Sequence, residues 1–303
     1  MLSRSAKHLY WFARYIERTE NIARMLDVNL ELILVFPSDN SLSWKPLIDT
    51  LDMNDIYENK YKKYNEENVL KFIFEGTKNL SSISNCMEIA NYNIETVRDD
   101  LPKSTTISLN DLNDHIAEKI SNVHKRHRLT YITKIISLTQ NIFGSINDNL
   151  SRGYEYEFIR LGRFVERIDM ITRIIDCLCV SKSNKQTHDF STMEWVSMLS
   201  ILSAHDAFRK ISRGEVNREE VINFLLKNDS FPRSITRCIK VIENCLNNLP
   251  RNLIALDKLK IIKSKYSNTN FEKLDDISLH LFLDKCQKDV SIFDNKIEKT
   301  YFS

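Results

Sequence analysis

Glycine and proline are scarce: five of each in 303 residues. Sandwiches and barrels need many tight turns built on those residues, so their scarcity points to helices joined by short polar loops. A net charge of either sign is also lacking, since 43 Lys and Arg stand against 41 Asp and Glu. That balance gives no electrostatic case for nucleic acid or membrane as the main partner. No apolar run is long enough to span a bilayer. Arg14, Glu17 and Arg18 leave no room for the apolar stretch of a signal peptide. The six cysteines (Cys86, Cys177, Cys179, Cys238, Cys245 and Cys286) form no Cys-x-x-Cys. They read as small hydrophobes in a reducing cytoplasm, the expected localisation. Missing too are Glu-x-x-His, His-Glu-x-x-His, a Walker loop and Gly-x-Ser-x-Gly. A di-iron bundle site, a zinc hydrolase and the common nucleotide loop and nucleophile elbow therefore find no support, and neither cofactor nor metal is expected.

What is present is a globular composition, 42% hydrophobic and 28% charged, with apolar residues at helical spacing. Residues 3–36 read as one long helix with Ser3 as candidate N-cap, ended by Pro37 and Asp39-Asn40-Ser41. An apolar segment spans 44–57, a charged loop 59–68 and a strongly apolar stretch 69–74, and helices are expected over 81–96 and 128–149. Ser108-Leu-Asn-Asp111 looks like a capping box opening another helix. In the second half, long helices are expected over 155–180 and, after the box Ser191-Thr-Met-Glu194, over 195–209. Asn217-Arg-Glu-Glu220 caps a short helix from Val221, and Pro232 falls in a first helical turn. Two C-terminal helices, 253–265 and 274–296, complete the chain.

The two halves resemble each other. Arg14, Glu17, Arg18, Ile22, Arg24 and Asp27 match Arg163, Glu166, Arg167, Ile171, Arg173 and Asp176, 149 positions later, and Glu20 matches Asp169. Trp44, Leu47, Ile48 and Leu51 pair with Trp195, Met198, Leu199 and Leu202. Val69, Phe72, Ser82 and Cys86 pair with Val221, Phe224, Ser234 and Cys238. Order is kept throughout, so the expected fold is an all-α, internally duplicated helical bundle with pseudo-two-fold symmetry. It would be a single domain over 1–303, made of repeats at about 1–150 and 151–303.

On a helical wheel Tyr10, Arg14, Glu17, Arg18, Asn21 and Arg24 fall within one third of the circumference. Trp11, Tyr15, Phe12, Ile16, Ala23 and Leu26 take the opposite arc. Arg163, Glu166, Arg167 and Arg173 rebuild the stripe. The stripe uses Arg and no Lys, and Arg presents a planar fork suited to carboxylate or phosphate. One reading is structural, with Arg and Glu locking helices together by ion pairs. The other is a groove, in which the two stripes face each other and bind an anion. His205-Asp206 is a weaker candidate, since a lone helical His is more often structural. Cys86, Cys238 and Ser234 read as packing or helix-start residues.

At Leu9-Tyr10-Trp11-Phe12-Ala13-Arg14-Tyr15-Ile16-Glu17-Arg18, with Asn21 and Arg24, the chain resembles the alpha-E family of α-helical bacterial proteins. Leu161-Gly162-Arg163-Phe164-Val165-Glu166-Arg167 and Phe231-Pro232-Arg233-Ser234 reinforce the resemblance. One departure is Ala90-Asn91-Tyr92-Asn93-Ile94-Glu95, where the family carries an Arg-rich Ala-Arg-Glu-Asn-Ala-Arg. The resemblance implies association with circularly permuted ATP-grasp ligases and with a transglutaminase-like protein, in peptide modification or small-peptide synthesis. The leading expectation is a non-catalytic helical partner of such an amide ligase, binding it or an acidic peptide through the Arg/Glu stripes. The alternative is an enzyme forming or cleaving amide bonds, with Glu17 or Glu166 as general base. A third class is a structural oligomer with both stripes buried.

Overall fold

Two long helices form the centre of the bundle. In the computed structural model, which describes residues 3–35, 44–76, 79–183, 191–212 and 214–303, α1 spans Ser3–Val35 and α8 spans Tyr154–Ser183. Their contacts advance in step. The Gly162 backbone lies so close to Tyr10 that an added Cβ would sit 2.2 Å from the Tyr10 carbonyl oxygen. Further along, Arg14 and Arg18 meet Glu166. The two helices therefore run side by side in the same direction, and glycine at 162 is what lets their backbones approach.

The segments after each central helix cross to the other. Cys177 of α8 contacts the Pro46 carbonyl at the start of α2 (Lys45–Thr50). Arg24 of α1 reaches Ser203, just after α9 (Ser191–Ile201). The apolar segment over 44–57 and the expected single helix over 195–209 are each broken in two. Asp52 and Ser203 take left-handed φ values of 55° and 50°, which end α2 and α9 and start α3 (Asn54–Glu58) and α10 (His205–Arg209). No glycine announces either turn.

Next come α4 (Glu66–Glu75) and α5 (Ile83–Val97), matched by α11 (Arg218–Lys227) and α12 (Ile235–Asn247). Their starts use the same chemistry in both halves. Asn65 accepts from the Asn68 amide and Asn217 from the Glu220 amide, each at 2.9 Å. Ser82 and Ser234 accept from the amides of Asn85 and Arg237. Ser84 and Thr236 tie these helices back to the carbonyls of Phe74 and Leu226. Side-chain caps of this kind contribute about 1 kcal/mol each. Pro232 precedes Ile235 by three residues and so lies outside α12 rather than in its first turn, because Ser234 holds the cap.

Each half closes with a helical hairpin: α6 (Lys103–Ala117) with α7 (Arg128–Asn149), and α13 (Leu253–Asn268) with α14 (Asp276–Ile297). Ser108 sits inside α6, which begins directly after Pro102, so it is no cap. Helices α5 and α7 pack on α1, and α12 and α14 on α8. The order of elements in residues 3–149 thus recurs in residues 154–297. The fold is all-α, with no strand among the described residues. Expected breaks at Pro37 and Asp39-Asn40-Ser41 lie outside the described residues, as does the side chain of Ser191. No helix is long and apolar enough to cross a membrane, within the described residues. None of the six cysteines is joined in a disulfide.

Packing leaves α1 buried on nearly all sides. Leu9, Phe12, Ile16 and Leu26 are wholly out of solvent, but so are Glu17 and Glu20 on the other arc. Each large aliphatic side chain removed from water contributes about 1.5–3 kcal/mol. The partly exposed strip of α1 carries Trp11, Tyr15 and Arg18, so two aromatics of the arc opposite the Arg/Glu stripe stand at the edge of the core while Phe12 lies inside it.

Candidate functional site

The two stripes meet each other across the α1–α8 contact. Glu166 accepts from Arg14 Nε at 2.9 Å and from Arg18 Nε and Nη2 at 2.5 and 3.0 Å. Reciprocally, Glu17 accepts from Arg163 Nε at 2.9 Å and from Arg167 Nε and Nη2 at 2.7 and 2.9 Å. Arg18 and Arg167 each make the two-pronged contact that a planar guanidinium allows and an ammonium does not. Both carboxylates have 0% exposure.

Around this reciprocal core the two sides diverge. Beside Glu17, the turn before α12 inserts Arg233, which donates to Glu17 at 3.2 Å, to Asn21 Oδ1 at 2.9 Å and to Glu20 at 2.5 Å. Arg24 joins Glu20 at 2.8 Å and donates to the Ser203 hydroxyl. Beside Glu166, the position matching Arg233 is Ser81, and the extra partner is an acid: Arg14 pairs with Asp294 of α14 at 2.8 Å. Asp294 also accepts from the buried Tyr10 hydroxyl. Arg173 pairs with Asp169 one turn away at 3.0 Å, outside the central knot. Aromatic faces cover several guanidiniums: Trp11 lies 5.0 Å from Arg14, Tyr15 5.5 Å from Arg18 and Phe143 3.7 Å from Arg163.

Electrostatics follow this geometry. Burial alone would raise the Glu17 carboxyl, but Arg167, then Arg233 and Arg163, outweigh it and hold it well below the usual carboxylate range. For Glu166 burial acts the same way, and Arg18 and Arg14 overcome it, lowering the group. Arg233 pays for its position. Burial and then repulsion by Arg167 bring it down to about 10, against the attraction of Glu20 and Glu17. Arg163 is lowered by burial and by Arg167.

Chemically, this is an ionised network in which arginines bond both oxygens of Glu17 and of Glu166, while Glu20 Oε2 and Asn21 Nδ2 are buried without a hydrogen-bond partner among the described residues. A general base must be free to take a proton and titrate near the working pH. Glu17 and Glu166 do neither. The matched thiols Cys86 and Cys238 are no better as nucleophiles, since burial pushes each up to about 12. His205 pairs with its neighbour Asp206 at 3.8 Å, with His205 partly exposed and Asp206 at the surface. Among the described residues no cluster of three or more His, Cys, Asp or Glu is placed to hold a metal.

All nine residues singled out from sequence therefore lie in or beside one charge network, but its donors point inward. Arg14, Arg24, Arg167 and Asn21 are buried, whereas Arg18, Arg163 and Arg173 keep part of their side chains in solvent. Sequence reasoning missed Arg233, Glu20, Ser203 and Asp294 as members. Arg233 stood in a quoted motif, but nothing local showed that it reaches α1. The Alpha-E description, "a predicted alpha-helical domain with a conserved ER motif", matches residues 1–302. The chain belongs to the Alpha-E family. Its Glu–Arg pairs are Glu17-Arg18 and Glu166-Arg167, and in this Alpha-E chain the Glu of each pair is held by arginines of the other helix. No curated protein and no solved structure matches it.

Proposed function

We propose that this chain is a non-catalytic helical subunit of an ATP-grasp-type amide ligase system, with the Glu–Arg motif as the lock that holds α1 on α8. The observation that carries the non-catalytic part is the state of Glu17 and Glu166: fully buried, bonded through both oxygens to arginines, and ionised. The ligase association is what the resemblance to the Alpha-E family implies, and the nucleotide chemistry would reside in the partner. An acidic peptide would meet this subunit at the half-open rim of the network, through Arg18, Arg163 and Arg173. The chain itself reads as two repeats, as the recurring helix order and paired caps suggest.

The test combines the purified chain with a candidate ligase, ATP and acidic peptides. Complex formation and an increase in amide-linked product with ADP release support the reading, with no turnover by the chain alone. Amide formation or cleavage by the chain alone, lost in a folded Glu166→Gln variant, would overturn it in favour of an enzyme.

A further inference from the structure

The α13–α14 hairpin has an apolar outer face that the corresponding α6–α7 hairpin lacks. Its two helices lie antiparallel, fixed by the Tyr266–Phe282 ring contact at 5.4 Å and the Lys258–Asp289 pair at 2.7 Å. On α14, His280 bonds Asp176 of α8 at 2.6 Å, and Leu283 and Val290 are buried. At about 100° per residue, Ile277, Leu281 and Ile292 fall on the side of α14 away from α8. They are 62%, 61% and 46% exposed. On α13, Lys263 bonds Glu243 of α12. Ile254 and Ile261, seven residues apart, lie opposite that contact and are 60% and 51% exposed. Both rows open outward from the α8–α12 layer, so they stand next to each other on one surface.

Single exposed apolar residues need no explanation, whereas a contiguous row of them does. The α6–α7 hairpin supplies the internal control. The exposed positions of α7 include Thr133, Lys134, Ser137, Gln140, Asn141 and Gly144, and the large exposed apolar residue of α6 is Ile107. The same architectural position is thus polar in one half and studded with large apolar side chains among its charges in the other.

We propose that the α13–α14 face is a self-association surface on which a second copy of this chain docks about a two-fold axis. A two-fold contact places a patch against itself, so a patch of one sign would repel its own copy. This one carries both signs on both helices: Asp257 with Lys260 at 3.4 Å on α13, and Asp284 with Lys288 at 2.7 Å on α14. Exposed pairs of this kind contribute about 0–1 kcal/mol, so exchanging partners across the interface costs little. The paired hairpins would form a four-helix layer sealed by Ile254, Ile261, Leu281 and Ile292.

Sedimentation and light scattering of the full chain, from micromolar to hundreds of micromolar, test this. The expected result is a concentration-dependent dimer. Ile261→Glu and Leu281→Glu should each weaken it by about thirtyfold or more, while circular dichroism, and melting at concentrations where the parent is monomeric, stay unchanged because both positions are exposed. Ile107→Glu on α6 should leave the dimer intact. A monomer over the whole range overturns the proposal, as does a dimer indifferent to both α13–α14 variants. A monomer whose variants lose binding to a candidate ligase assigns the face to that partner and equally overturns self-association.

Discussion

Glu17 is held by arginines from two directions, α8 and the turn before α12, whereas Glu166 is held by Arg14 and Arg18 of α1 alone. The inner geometry is the same on both sides. The surroundings differ by a few substitutions, chiefly Arg233 where the first half has Ser81. Arg163, Arg167, Arg233 and Arg24 crowd around Glu17 and Glu20. On the other side Arg14 and Arg18 face Glu166 and Asp294. On the crowded side Arg163 and Arg233 are pulled below their ordinary range while Arg167 is raised, whereas on the other side Arg14 and Arg18 are both raised. One charge pattern can thus be neutralised tightly or loosely, depending on what non-local segments bring to it.

The sharpest way to break this comparison is to remove each carboxylate. Glu17→Gln leaves Arg163, Arg167 and Arg233 without their shared anion, and should cost about 3–5 kcal/mol in urea unfolding. Glu166→Gln should cost less, because Arg14 retains Asp294. Equal losses would show that Arg233 and Asp294 do not differentiate the two sides. The acid limb of stability should follow the same order. Both carboxyls are lowered in the folded state, so their contribution is complete above the unfolded value of about 4.3 and is lost as pH falls toward the folded values. Stability against pH below that point should be flatter in Glu17→Gln than in the parent, and flattened less in Glu166→Gln.

Arg233→Ser makes the second half resemble the first. It removes charge-assisted hydrogen bonds to Glu17, Glu20 and Asn21 but also relieves repulsion from Arg167, so a loss of about 1.5–3 kcal/mol is expected. A stabilised variant would mean that crowding outweighs those bonds. Gly162→Ala should cost about 1–3 kcal/mol by forcing α1 and α8 apart, seen as a lower urea midpoint. Gly144→Ala is the smallest and opposite case. Its Cβ would meet nothing within 4 Å in a helix interior, so melting should rise, by about 0.4–1 kcal/mol of stability.

Much of the helix plan was readable locally. Helix α7 runs over Arg128–Asn149, as its apolar spacing predicts, and Asn217 caps α11 as its Asn-x-x-Glu pattern predicts. Local patterns misled where one signal has two origins. The Ser-x-x-Asp spacing at Ser108 also occurs inside helices, and α6 had already begun after Pro102. The left-handed turns at Asp52 and Ser203 carry no glycine, so the segments looked continuous.

Composition, spacing and caps were enough to determine an all-α chain whose halves carry matching Arg/Glu stripes on their first long helices. Only the tertiary structure decided what those stripes face. Helical periodicity tells which residues share a side of a helix, because it depends on a local repeat of 3.6 residues. It cannot tell what covers that side. Here the cover is the matching stripe 149 residues away, joined by Arg233 from the turn before α12. Charges can be buried there because carboxylate and guanidinium arrive together, and that neutralisation exists only once the distant segments have met.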